Sequence, residues 1–186
     1  NFLADITNYI MLEMGQPTHA FDANKIDEIV VGTPNEACKF TTLDNTERDI
    51  TTDTLLIQNG STPVAIAGIM GGLDSEIVED TSMLTLESAT FDAASIRKST
   101  VRLSHRTDAS MRYEKSLDPE MTVTAIARFV KLLTDIDSEA KVTSALSDEY
   151  AFRYPDISLS FEKAFVNKYT GIEISNETIV NTLTNL

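Results

Sequence analysis

Between Glu28 and Ala67 the chain offers only short β-rich runs, and this stretch limits its fold more than any other. Residues 29–31, 39–43, 54–57 and 64–67 are rich in β-branched and aromatic side chains. Thr33-Pro34-Asn35, Leu43-Asp44-Asn45 and Asn59-Gly60 separate them, and each is a turn signal. Strands this close in sequence have no room for crossover helices, so they pair antiparallel. Residues 83–89 supply one more strand. The fold class expected is α+β: an antiparallel, barrel-like small sheet core with flanking helices.

Helices are expected on both sides of this core. From Asp5 to Met14, Ile6, Ile10 and Met14 share one face, and Gly15 stands where a C-terminal cap belongs. Residues 16–21 then read as a loop fixed by Pro17. Asp92 caps a helix over residues 93–103, and Asp108 a short one to Lys115. Asp118-Pro119 starts a helix to Asp135, with Met121, Ile126, Phe129, Val130 and Leu133 as its core stripe. Residues 141–150 read as a closing strand plus linker. Beyond Tyr154-Pro155, residues 157–161 alternate like a strand and a helix runs to Tyr169. Gly171 breaks it, and Ser175 caps a last helix with Ile179, Leu183 and Leu186 on one face. Both ends look cut from a longer protein.

Composition narrows the function. No apolar run approaches the length of a membrane span, so no membrane partner is expected. The single cysteine, Cys38, excludes an internal disulfide and suits a reducing, cytoplasmic setting. Two histidines and one cysteine make a zinc cluster a poor fit, and no metal site is expected. The net charge of −14 opposes a chain that grips nucleic acid by itself. Yet Arg97, Lys98, Arg102, Arg106, Arg112 and Lys115 lie close together, six of the fifteen basic residues. They are either two solvated helix faces or a basic strip beside a site for a phosphate-bearing substrate.

Two runs carry candidate chemistry. One is Gly15-Gln16-Pro17-Thr18-His19-Ala20-Phe21-Asp22. The other is Ala65-Ile66-Ala67-Gly68-Ile69-Met70-Gly71-Gly72, followed by Leu84-Thr85-Leu86-Glu87-Ser88-Ala89. Glu87 is a carboxylate inside a strand-like run, a costly place for a charge. His19 and Glu87 suggest a small pocket with glycine walls. Taken alone, each also fits a structural role: a hydrogen-bonded histidine, and a glutamate on a wet strand face. The glycine run lacks the Lys-Ser/Thr of a phosphate-binding loop, and the chain has no Gly-x-Ser-x-Gly elbow.

These runs, with Asp5-Ile6-Thr7-Asn8-Tyr9, Arg106-Thr107-Asp108-Ala109-Ser110, Arg112-Tyr113-Glu114 and Asp118-Pro119, resemble in order and spacing the editing module of the bacterial phenylalanyl-tRNA synthetase β subunit. The resemblance implies an editing domain over residues 1–150, with residues 151–186 the truncated start of the next module. It implies hydrolysis of tyrosine misattached to phenylalanine tRNA, by attack of water on the ester. It implies that Glu87 accepts the tyrosine hydroxyl. His19, Thr7 and Thr107 would position water or ester. Asn8, Pro17, Ala67, Gly68 and Ala109 would line the substrate. The implied partners are the tRNA 3′ end and a synthetase α subunit in an α2β2 assembly. No cofactor is expected in this fragment; ATP and magnesium would serve the whole enzyme elsewhere. The alternative is a non-catalytic RNA-binding or subunit-docking module. Two positions depart from the family pattern: Ser104-His105 replaces its usual Gly-Leu, and Lys115-Ser116 its Arg-Gly.

Overall fold

The computed structural model describes residues 2–155 and 157–185. The backbone divides into two compact units, Asn1–Thr143 and Ser144–Leu186. The first begins with helix α1 (Phe2–Met14), ended by Gly15 at φ +76°, as the sequence predicts. Strand β1 (Thr18–Asp22) follows directly. The sequence reads these residues as a loop, and this is a correction. Their ladder partner is β8 (Leu84–Ser88), more than sixty residues away, and no local pattern announces it.

The other strands form two further antiparallel groups. Strands β2 (Val30–Gly32), β5 (Leu56–Asn59), β6 (Thr62–Ile66) and β7 (Met70–Gly71) make a four-stranded sheet in the order β2-β5-β6-β7. Strands β3 (Cys38–Thr41) and β4 (Glu47–Ile50) form a hairpin whose turn holds Asn45 at φ +57°. The barrel-like core expected from sequence is therefore wrong. Among the described residues the eight strands belong to three separate sheets, and the end strands β2 and β7 do not pair with each other. Strands of three and two residues are too short to be staggered into a closed ring. The α+β class and the antiparallel pairing stand.

Helices α2 (Ala93–Arg102), α3 (Asp108–Tyr113) and α4 (Met121–Ile136) complete this unit. Asp92 caps α2 by accepting the Ser95 N–H at 2.8 Å. The cap of α3 is Thr107 rather than Asp108, because its hydroxyl and that of Ser110 form a reciprocal capping box. Asp118 and Pro119 form a turn just before α4, which starts at Met121. Residues 141–150 contain no strand: 141–149 are exposed, and the segment finds no ladder partner among the described residues.

Two hydrophobic clusters hold the unit together. The larger gathers Phe21, Ile50, Leu56, Ile57, Ile66, Ala67, Ile69, Phe91, Ile96 and Tyr113. The smaller packs Ile6 and Ile10 of α1 against Ala125 and Phe129 of α4, with Leu84 and Leu86 of β8 beside them. Each such large side chain contributes about 1.5–3 kcal/mol on burial. The two clusters lie on opposite faces of the β1–β8 ribbon. Leu84 and Leu86 point to the smaller one, and Phe21, opposite Thr85, points to the larger.

The second unit contains α5 (Lys163–Thr170) and α6 (Asn176–Thr184). Gly171 ends α5 at φ +75°, and Ser175 caps α6 by accepting the Thr178 N–H at 3.1 Å. The strand expected at 157–161 is absent. Ile157 and Leu159 are largely exposed, and a lone extended segment has no partner for its backbone groups. Leu186, expected on the apolar face of α6, lies outside the described residues.

Candidate active site

The β1–β8 ribbon places His19 directly opposite Glu87. Strand alternation sends both side chains to the face that carries Phe21. The imidazole sits edge-on to the Phe21 ring, with centroids 4.5 Å apart. Behind it lies Gly71. A Cβ there would stand 2.7 Å from His19 Nε2, so only glycine leaves the imidazole its place. Sequence reasoning assigned Gly71 no role, although a glycine pair in a strand-like run is a signal of close approach.

Both polar side chains are half-buried, and neither makes a hydrogen bond or ion pair among the described residues. Burial pulls the His19 pKa down to about 4, so its imidazole is neutral at neutral pH. Burial pushes the Glu87 pKa up to about 7. Two titratable groups thus face each other with their hydrogen-bonding capacity open. Such an arrangement makes the pair a candidate binding or catalytic site.

Tyr113, at the end of α3, forms the inner wall. Its hydroxyl donates to the Pro17 carbonyl at 3.2 Å, and its ring meets Phe91 edge-on at 5.0 Å. Burial raises its pKa well above the ordinary value, and the nearby Glu87 charge adds to this. The sequence reading missed Tyr113. Its signal was the helical spacing to Ala109, one turn earlier on the same face. Pro17 is fixed further by Gln16, whose amide donates to the Pro17 carbonyl at 3.1 Å and to the Ala89 carbonyl at 2.8 Å.

The loop between β6 and β7 carries Ala67 and Gly68. Ala67 is fully buried and donates its N–H to the Leu55 carbonyl at 3.1 Å. Gly68 holds φ +65°, and a Cβ on it would stand 2.9 Å from Tyr113, 3.0 Å from Phe91 and 3.1 Å from Ile96. Its lack of a side chain is thus set by the packed core beneath it. Thr107 anchors the same loop, because its hydroxyl donates to the Ile69 carbonyl at 2.9 Å while accepting the Ser110 N–H. Ala109 packs on the larger core from α3.

Thr7 and Asn8 stand apart from this group. They lie on α1, whose buried residues join the cluster on the other face of the ribbon. The Thr7 hydroxyl donates to the Ala4 carbonyl at 2.8 Å, and Asn8 is exposed. The structure therefore gathers His19, Glu87, Pro17 and the Ala67-Gly68 loop, with Thr107 and Ala109 behind the loop. It gives Thr7 and Asn8 no hydrogen bond to that group. Among the described residues, no group of three or more His, Cys, Asp or Glu side chains is arranged to hold a metal ion. No helix among them is long and apolar enough to cross a membrane.

A ribbon of two strands, a glycine loop behind it and a short capped helix closing the far side define a domain class that comparison identifies. The chain belongs to the B3/4 domain family, whose sequence model matches residues 1–138. It is similar to the "Phenylalanine--tRNA ligase beta subunit" of Clostridium acetobutylicum, with 41% identity over 179 residues, or 95% of this chain and 22% of the relative. The proteins of the same name from Clostridium tetani and Halalkalibacterium halodurans are 41% and 40% identical, each over 95% of this chain and 22% of their own length. The chain thus spans about a fifth of the length of the curated relatives it matches.

Proposed function

We propose that this chain is the editing module of a phenylalanine–tRNA ligase beta chain, and that it hydrolyses tyrosine wrongly esterified to phenylalanine tRNA. The observation that supports this reading best is the half-buried, unpartnered Glu87 facing a neutral His19. A synthetic pocket shaped for phenylalanine rejects a near-isostere that only adds a hydroxyl by roughly 100-fold. A second site that requires the hydroxyl corrects the error. Glu87 supplies that requirement. A tyrosine O–H donated to its carboxylate favours the charged form and offsets the burial that raises its pKa. Phenylalanine would leave the same carboxylate buried and unpaired.

The ester is already activated, so the site needs to place a water and stabilise developing charge. His19, neutral at working pH, accepts a hydrogen bond from that water. Pro17 and the Ala67-Gly68 backbone shape the ring's surroundings. Thr107 and Ala109 hold the opposing wall, with Thr107 acting through the Ile69 carbonyl. Thr7 and Asn8, which stand apart on α1, would meet only the part of the substrate that projects beyond the His19–Glu87 pair. Residues 151–186 begin the following module of the same subunit. The complete enzyme is a cytoplasmic α2β2 assembly that uses ATP and magnesium at a separate synthetic site and serves protein biosynthesis.

The test is deacylation of tyrosyl- and phenylalanyl-tRNA by the parent enzyme carrying Glu87→Ala. A hydrogen bond to a charged group contributes about 1.5–3 kcal/mol, so preference for the tyrosyl ester should fall roughly 10- to 150-fold. A variant that edits with undiminished preference would sink the assignment.

A further inference from the structure

A chain of net charge −14 must still admit a polyanion if the editing reading holds. The six basic residues between Arg97 and Lys115 do not act as one strip. Arg102 is paired with Asp53, Arg112 with Asp108 and Arg106 with Glu114. Arg97 and Lys115 make no ion pair among the described residues. These two line an open hollow of about 650 Å³ together with Arg106 and Glu114, between α2, the α2–α3 loop and the end of α3. Glu114 reports that they share one space. The Arg106 hydrogen bond, then the fields of Arg106, Arg97 and Lys115, hold its carboxyl below the ordinary range. Three cations and one carboxylate leave the hollow with two uncompensated positive charges.

The position follows from the helices. Ile96 and Tyr113 face inward onto Gly68, and the next residue along each, Arg97 and Glu114, faces the hollow. Successive residues of a helix diverge by about 100°, so the hollow lies on the outer side of the helix pair whose inner side packs on Gly68.

We propose that this hollow grips backbone phosphates of the single-stranded RNA end whose terminal ester enters the His19–Glu87 site. The proposal rests on the editing reading. Arg97 and Lys115 each meet one phosphate. Arg106, held by Glu114, forms a fixed, charge-compensated wall between them. The acidic remainder of this chain's surface repels the rest of the RNA, so on this chain the RNA backbone is held at the hollow while its terminal ester reaches the His19–Glu87 site.

The experiment compares the parent enzyme with an Arg97→Ala/Lys115→Ala double variant on two substrates, tyrosyl-tRNA and the ethyl ester of tyrosine, which has no phosphate. The tyrosyl-tRNA concentration giving half-maximal deacylation should rise about tenfold at ~150 mM salt. The maximal rate and ethyl-ester hydrolysis should not change. The salt slope of tRNA binding should become shallower by about 1.4, or ~0.7 for each single-strand phosphate that is no longer neutralised. Arg97→Lys/Lys115→Arg, which keeps both charges, should behave as the parent. An unchanged half-saturation and salt slope would overturn the proposal. So would an equal loss on the ethyl ester, which reports a damaged pocket. Binding of a poly-aspartate peptide as tight as that of RNA would also overturn it, in favour of a protein partner. If the parent enzyme hydrolyses no tyrosyl ester at all, the editing reading fails, and the salt slope alone then decides the hollow.

Discussion

Ser104 and Ser116 hold φ angles of +49° and +61°, a region that favours glycine. They follow α2 and α3, at the two positions where the resemblance leads one to expect glycine. Each therefore carries a left-handed cost of about 1–2 kcal/mol that glycine avoids, less the greater freedom glycine has when unfolded. Ser104→Gly and Ser116→Gly should each stabilise the chain by about 0.5–1 kcal/mol, read as a higher urea midpoint at constant slope. A loss of stability would mean that the serine side chains make compensating interactions. The opposite change at Gly71 has no such freedom, because any side chain meets the imidazole of His19.

Among elements, α3 does the most with the fewest residues. Six residues, Asp108–Tyr113, begin at a capping threonine tied to the β6–β7 loop and end at the tyrosine that holds Pro17. Thr107→Ala removes the cap and the bond to Ile69 together. It should cost about 1–2 kcal/mol of stability and slow deacylation, while Thr107→Ser restores both. Deacylation rates and urea midpoints of the two variants check this; a full-rate alanine variant would show that the loop needs no anchor. The helices were largely legible in sequence, because Gly15, Asp92, Gly171 and Ser175 are local signals that each end or start one element. Strand β1 was not. Gln16-Pro17 reads as a loop, and the hydrogen bonds that make Thr18–Asp22 a strand come from β8. The same distance hid the geometry of the site. His19 and Glu87 were legible as the two polar groups of one pocket, but their direct opposition is a property of register, which neither segment contains. The expected barrel failed for a related reason, since short strands and turns define hairpins without saying which edges meet.

For the molecule as a whole, the facing pair sets two opposed pH dependences. The folded pKa of Glu87, about 7, lies above its ordinary 4.5. Between those values the folded state holds the proton more tightly, so stability falls as pH rises, and levels above 7. The folded pKa of His19, about 4, lies below its ordinary 6.5. There the unfolded chain binds more protons, so stability rises with pH. Each slope reaches at most about 1.4 kcal/mol per pH unit, and they oppose one another between pH 4.5 and 6.5. Glu87→Gln should therefore steepen the rise of stability with pH across that window, and His19→Gln should tilt it downward, both relative to the parent. Differences from the parent remove the contribution of surface carboxylates such as Asp44, whose hydrogen bond from Thr42 holds its pKa at about 2. Parallel profiles for all three proteins would show that the pair is not perturbed.

The alternation of the β1–β8 ribbon carries a final consequence. One face presents Ala20 and Leu86 to the cluster under α1 and α4; the other presents His19 and Glu87. A slip of one residue between the strands would turn one partner's polar group towards the helices and its leucines outward. The hydrophobic residues of the smaller cluster thus act as the alignment key for a polar pair on the opposite face of the ribbon. A loosened Phe129 or Ile10 would weaken the hold on the ribbon's register, so the opposition of His19 and Glu87 depends on oily residues as strictly as on the two polar ones.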